Sequence, residues 1–486
     1  MRVTKYTLLA SFLLLGVVIE ALSSIEWALY PYFPDRGLLF ARIDASTFSI
    51  LAPFSPTFLI LLLYIWPIRL AMSLDNKVSK RLRSYVDRVT GSLLQLGRQT
   101  APNSRHGLAL THHPRVLLLL AVAAALFFGL ILYRPDLNPS MTPIGVDAHF
   151  YIDSVNQMLQ LSPSAAISYA MGNALEGSRP LVLLPMYLAT VTGLVSVNLA
   201  YEALPAILGP LVAIATFIFV REGLQNERAA GAASLFSTLS FGTTVGMWAG
   251  FYANWLALAE TYFFLAALLG FLKARSAPRF IAMTLLSVSL LFTHPWTWVI
   301  ILTVTTTFIL TLWRDDRKHA PMRALGALLA TDIILDFAKS LVFGSSVAVQ
   351  DASTGLSGSG ISQALLLWPN IIYGLFTAYG GLLGNAILLG LPVITVTILR
   401  FREKFERLLL LWVALSSIPF LATPSLVETR ILYDMPFPVL ISLALLFPSR
   451  PIVDKSVHSN LAFLFLLLLL LNYVLRAVTS LVAPPF

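Results

Sequence analysis

A succession of apolar runs, each about 18 residues or longer and divided by short charged stretches, restricts what this chain can fold into more than any other feature. Runs of that length suit helices crossing a hydrocarbon core about 30 Å thick. Inside lipid, every peptide N–H and C=O must be bonded within its own segment, which a helix achieves. A transmembrane barrel would instead need short alternating segments, and the sequence has none. Only 12% of the residues are charged, with a mean hydropathy of +0.79; a soluble domain carries roughly twice that charged fraction. The chain reads as an all-α polytopic membrane protein.

About thirteen spans can be drawn, near 6–28, 47–69, 115–133, 204–220, 230–248, 250–270, 280–293, 296–313, 324–343, 381–400, 407–422, 435–449 and 459–482. Lys and Arg are retained on the cytoplasmic side of a bilayer, so their placement gives the orientation. With the N-terminus cytoplasmic, the inner segments 70–114, 221–229, 271–279, 314–323, 401–406 and 450–458 hold most basic residues, and the C-terminus falls outside. The outer side holds only Arg36, Arg42, Arg134, Arg179 and Arg430. This asymmetry, expected of a multi-pass protein of the cell membrane, accounts for the net charge of +9 without a nucleic-acid partner. It also keeps two further apolar stretches, about 181–198 and 364–380, from crossing, since a crossing would put later basic segments on the wrong side. They are expected as outer interfacial helices.

Arg2 and Lys5 before an apolar run resemble a signal peptide, but Glu20 and the lack of a small-x-small cleavage site favour a retained first helix. The organisation is then an N-terminal helix pair (1–72), a basic cytoplasmic loop (73–114), a larger transmembrane unit (115–449) with its long outer loop at 134–203, and a C-terminal transmembrane helix (450–486). Ser353–Ser362, rich in Gly and Ser, reads as an outer loop. No cysteine is present, which excludes disulfides, thiolate metal sites and cysteine nucleophiles.

Candidate chemistry concentrates in the outer loop. Gly145-Val146-Asp147-Ala148-His149-Phe150-Tyr151-Ile152-Asp153 is followed by Glu176-Gly177-Ser178-Arg179-Pro180. An acid at the outer end of a span can act as a general base toward an acceptor at the membrane surface. Asp147 can equally cap the helix that starts at Ala148. Further along, His294 lies in the turn Thr293-His294-Pro295-Trp296, where it either handles a proton or fixes the turn. Arg430, in Glu428-Thr429-Arg430-Ile431-Leu432-Tyr433-Asp434, can grip a phosphate bidentately or pair with its acidic neighbours. Within the spans, Glu260, Asp332, Asp336 and Lys339 are the costly charges. The last three share one helix face, so Lys339 can neutralise Asp336.

In this order, these residues resemble the GT-C superfamily of membrane glycosyltransferases, over roughly 115–449. That superfamily includes protein O-mannosyltransferases, aminoarabinose transferases and the catalytic subunit of oligosaccharyltransferase. The resemblance rests on the outer loop with its early acid in G-V-D-A-H-F-Y-I-D, the step Arg179-Pro180, the turn R-E-G-L-Q-N-E-R-A-A-G at 221–231, and E-T-R-I-L-Y-D-M-P-F-P at 428–438. It implies a GT-C-like fold and a donor sugar carried on a polyprenyl phosphate. It also implies Asp147 as the catalytic acid of the first outer loop, and Arg430 with Tyr433 at the carrier phosphate. Arg179, His149, Asp153, Tyr252, Asn254 and His294 complete the expected substrate-binding set. The sequence departs from the family in Gly250-Phe251-Tyr252-Ala253-Asn254-Trp255, which has no acid where the oligosaccharyltransferases carry them. Ala148 also follows Asp147, where the protein mannosyltransferases have an acid pair. The first departure argues against a metal site of the oligosaccharyltransferase type and towards a metal-independent, monophosphate-donor mode without a cofactor, a divalent metal being the less favoured alternative. Membrane lipids are expected partners, and the acceptor (glycan, lipid or protein) is open. The alternatives are a polytopic transporter or lipid flippase working through Glu260, Asp332 and Asp336, and a non-catalytic GT-C-like subunit.

Overall fold

A computed structural model describes residues 5–33, 37–51, 58, 61–62, 113–172, 179–317, 320–345, 347–348, 386–399, 401, 403–422, 435–446 and 456–482. Helices are the only regular elements among them. They are α1 Lys5–Leu29, α2 Leu39–Leu51, α3 Pro114–Ile131, α4 Ala148–Leu159, α5 Pro163–Gly172, α6 Pro180–Val191, α7 Val197–Glu202, α8 Leu204–Leu224 and α9 Glu227–Thr238. Then follow α10 Phe241–Ala249, α11 Tyr252–Lys273, α12 Ala277–Thr293, α13 Pro295–Asp315, α14 Met322–Phe343, α15 Ala386–Ile398, α16 Lys404–Ala422, α17 Phe437–Leu446 and α18 Ser456–Val482.

Six helical stretches among the described residues are long and apolar enough to cross a membrane: Ala10–Leu29, Pro114–Ile131, Val197–Leu224, Tyr252–Lys273, Pro295–Asp315 and Asn460–Thr479. By length and composition, this is the make-up of a multi-pass membrane protein. Pro180–Val191 is apolar but has only 12 residues. At 1.5 Å per residue it reaches about 18 Å, short of a bilayer core of about 30 Å. The stretch 364–380, the Ser353–Ser362 loop and most of the expected 47–69 span lie outside the described residues.

α11 is the central helix. Trp255, Tyr262, Phe264 and Leu265 are all at most 1% exposed, and α8, α10, α12 and α13 pack around it. Lipid chains are as apolar as leucine, so helices in a membrane associate through close packing and interhelical hydrogen bonds. The contact of α3 with α8 shows this. A Cβ at Gly129 would stand 2.7 Å from the backbone nitrogen of Ala206, so the two helices approach to a distance that a larger residue forbids. The alanine-rich helix α9 is buried against α3, α8 and α17. It is fixed by Ser234 Oγ donating to Ala213 O at 2.8 Å and Thr238 Oγ1 donating to Ala121 O at 3.1 Å.

One expected span is broken. The stretch 230–248 is two helices, α9 and α10, because Ser240 caps the second of them. Its Oγ accepts from Gly242 N at 3.3 Å and donates to Ser237 O at 2.7 Å. The turn before α9 follows its sequence more directly: Gln225 takes a left-handed conformation at φ 53°, and Asn226 accepts from Arg228 N and Ala229 N.

Two ion pairs tie helix ends together. Lys273 pairs with Glu222 at 3.0 Å, and Arg407 with Asp315 at 2.7 Å, joining α11 to α8 and α16 to α13.

Candidate functional site

The Asp147 loop is locked onto the junction of α10 and α11. Asp147 N donates to Ala249 O at 2.9 Å, and Tyr201 Oη donates to Ile144 O at 2.9 Å. Gly145 has φ +126°, in the left-handed half of backbone space. A Cβ there would meet Tyr201 Oη at 2.7 Å and the backbone of Gly250 at 2.9 Å. Position 145 therefore requires glycine for its dihedral and for space. Gly250, which closes α10 with φ +71°, is the other half of this contact.

Asp147 occupies the position before α4, yet its side chain makes no capping bond, and its backbone sits at φ −86°, ψ 6°. The carboxyl is thus not spent on the helix end. Asp147 and Tyr151 lie one turn apart on the inner face of α4, where Tyr151 is fully buried. Tyr151 Oη accepts from Ala253 N at 3.1 Å, which ties α4 to α11. Burial pushes the Tyr151 phenol above the ordinary tyrosine value; the Arg179 guanidinium opposes this and the Asp147 carboxylate adds to it. Arg179, Tyr151 and Asp147 are therefore electrostatic neighbours.

A wall of tyrosines backs the loop. The rings of Tyr201 and Tyr252 are 4.8 Å apart, and Tyr151 lies 5.9 Å from Tyr252 and 6.1 Å from Tyr201. Tyr133 accepts from Ile144 N at 3.3 Å, and burial pushes its phenol up to about 12. At neutral pH, Tyr133 and Tyr151 are protonated and act as hydrogen-bonding phenols, not bases. Asn254, on the first turn of α11, is 1% exposed, and neither atom of its amide has a hydrogen-bond partner among the described residues.

The chain matches no family model, and no curated protein is significantly similar to it.

Several expected site residues stand apart from this cluster. His149 and Asp153 are exposed, on the other face of α4 from Asp147 and Tyr151. His149 bonds its own loop through Nδ1 and Val146 O at 3.1 Å, and its ring lies against Phe150. His294 is 4% exposed and caps α13: its Nδ1 accepts from Thr297 N at 3.3 Å and contacts Thr297 Oγ1 at 2.8 Å. Since α12 returns alongside α11, this turn lies at the same end of the bundle as Tyr252. Arg430 and Tyr433 lie outside the described residues. No group of three or more His, Cys, Asp or Glu among the described residues is placed to hold a metal ion. The residues that the sequence reading misses are Tyr133, Tyr151 and Tyr201. Tyr151 was within reach, because its spacing of four from Asp147 puts both on one helical face.

A second polar network runs through α11–α14. Glu260 Oε1 accepts from Ser289 Oγ and, at 3.0 Å, from Thr293 Oγ1, both on α12. Asp332 Oδ2 accepts from Ser287 Oγ at 2.5 Å and Trp298 Nε1 at 3.4 Å. Lys339 lies 3.6 Å from Asp336, whose other oxygen accepts from Ala348 N at 2.9 Å. Asp332→Ala leaves two buried donors without an acceptor, at about 1–3 kcal/mol. Its thermal midpoint in nanodiscs is expected to fall, while Asp332→Asn retains an acceptor oxygen and most of the stability.

Proposed function

We propose that this chain is an inverting glycosyltransferase of the GT-C kind. It moves a sugar from a polyprenyl-phosphate donor to an acceptor on the outer face of the cell membrane. The proposed topology has about thirteen spans, with the N-terminus cytoplasmic and the C-terminus outside. One observation carries the reading: the Asp147 carboxyl is not used to cap its helix, and it shares its surroundings with Arg179 and a hydrogen-bonded tyrosine wall. Asp147 takes the proton of the acceptor hydroxyl. The acceptor oxygen then bonds to the anomeric carbon as the carbon–oxygen bond to phosphate breaks, and the phosphate departs with the bonding electrons. Arg430 and Tyr433 receive the developing phosphate charge, as an arginine fork is shaped to do. A lipid-linked donor reaches such a site sideways through the bilayer, so no nucleotide-binding domain is needed.

The test is reconstitution of the full chain in liposomes with a panel of polyprenyl-phosphate sugars. Free polyprenyl phosphate is expected to be released, with the sugar appearing on an acceptor in inverted configuration. Folded protein that consumes no donor contradicts the reading.

A second reading, proton- or ion-coupled transport, is favoured by Glu260 Oε2 and Asp332 Oδ1, buried oxygens with no hydrogen-bond partner among the described residues. It predicts ion-dependent uptake into proteoliposomes that Asp332→Asn abolishes. Uptake that Asp332→Asn leaves unchanged, or no uptake at all, counts against it.

A further inference from the structure

The N-terminal helices are joined to the last helix by a buried polar knot that the proposed transfer does not use. Asn472 of α18 sits at its centre. Its Nδ2 donates to Glu20 Oε2 of α1 at 3.0 Å and to Asp44 Oδ2 of α2 at 2.8 Å, while its Oδ1 accepts from Ser23 Oγ at 3.1 Å. Glu20, Asp44 and Asn472 are 2%, 6% and 3% exposed. Asp44 Oδ1 is buried with no hydrogen-bond partner among the described residues, and so is Ser24 Oγ, one turn beyond Glu20 on the same face of α1. Because a single amide nitrogen serves both acids, their oxygens are no farther apart than the sum of the two bonds. Two carboxylates that close, inside a protein at membrane depth, cannot both stay charged.

The surrounding charges fix how many protons the knot needs. On α18, Arg476 acts on Asp44, and Tyr473 faces both acids. On α1, Glu26 is engaged elsewhere, accepting from Ala41 N at 2.8 Å at the start of α2. On α2, Arg42 is exposed. Helices α10 and α17, which also pack on α18, carry no titratable side chain. Glu20, Asp44 and Arg476 together carry no net charge when one proton is bound.

We infer that Glu20 and Asp44 together hold one exchangeable proton, and that this proton latches α1 and α2 against α18. The latch is therefore closed at low pH, where the shared proton is bound, and opens as pH rises and that proton is lost. Deprotonation places two like charges across the junction and loosens the helix pair.

The sequence has no cysteine, so a spin-label pair can be placed cleanly at Leu29→Cys and Leu130→Cys, two exposed positions near the ends of α1 and α3. The experiment uses the full chain in nanodiscs. The labelled protein is expected to give one narrow distance in mildly acidic buffer, and a longer, broader distribution in alkaline buffer. Glu20→Gln, whose amide stands for the protonated acid, is expected to stay narrow in both. Asp44→Asn reaches the same flat response independently, because with one acid removed no pair of like charges can form across the junction. A distance that ignores pH in the otherwise unchanged protein, or an equal pH response in both variants, overturns the inference.

Discussion

Asp147→Asn is expected to lower glycosyl transfer about 10²–10⁴-fold, the range lost when a general base is removed. Its fold should survive. The loop is held by the backbone bond from Asp147 N to Ala249 O and by Tyr201, and the amide keeps the shape of the side chain that it replaces. Membrane insertion and the thermal midpoint should match the parent protein, and donor binding should persist, because the base acts in the chemical step. Asp147→Glu keeps a base but displaces it by a methylene, so an intermediate rate is expected. Transfer by Asp147→Asn at the parent rate would mean that another group takes the proton.

Gly145→Val has the second large effect, and through a different cause. A β-branched residue must adopt φ +126° and place its Cβ within 3 Å of both Tyr201 and the Gly250 backbone. Strained backbone costs about 1–3 kcal/mol, and overpacking a similar amount again. Gly250 cannot yield easily, since its own left-handed turn closes α10. The loop is expected to detach from the α10–α11 junction, which lowers the thermal midpoint and removes transfer together. A parallel loss of both, measured in nanodiscs and in the transfer assay, separates this variant from Asp147→Asn, which loses only transfer.

Hydropathy made much of the helical framework legible. α1, α3, α8, α11, α13 and α18 all fall on apolar runs recognisable in the sequence. The break at Ser240 was not legible, because the flanking residues are uniformly apolar or small and a serine cap inside such a run changes hydropathy little. Within the site, the sequence pointed to Asp147 but left its role divided between capping and catalysis. Only the geometry at the start of α4 shows that the side chain is not a cap. Spacing placed His149 and Asp153 near Asp147 along the chain, whereas helical periodicity turns them to the opposite face of α4. Of the tyrosine wall only Tyr252 was read, because Tyr151, Tyr201 and Tyr252 are far apart in sequence and converge only through the packing of α4, α7 and α11.

The most direct test of the account is photocrosslinking with a polyprenyl phosphate that carries a photoreactive group beside the phosphate. The full chain in nanodiscs would be irradiated and the attachment sites mapped by mass spectrometry. Adducts are expected on the segment around Arg430 and Tyr433, on the Asp147 loop, on Arg179 at the start of α6 and on the first turn of α11, with competition by unlabelled polyprenyl phosphate. Adducts confined to the α12–α14 network around Asp332, or labelling that unlabelled lipid does not displace, would contradict it.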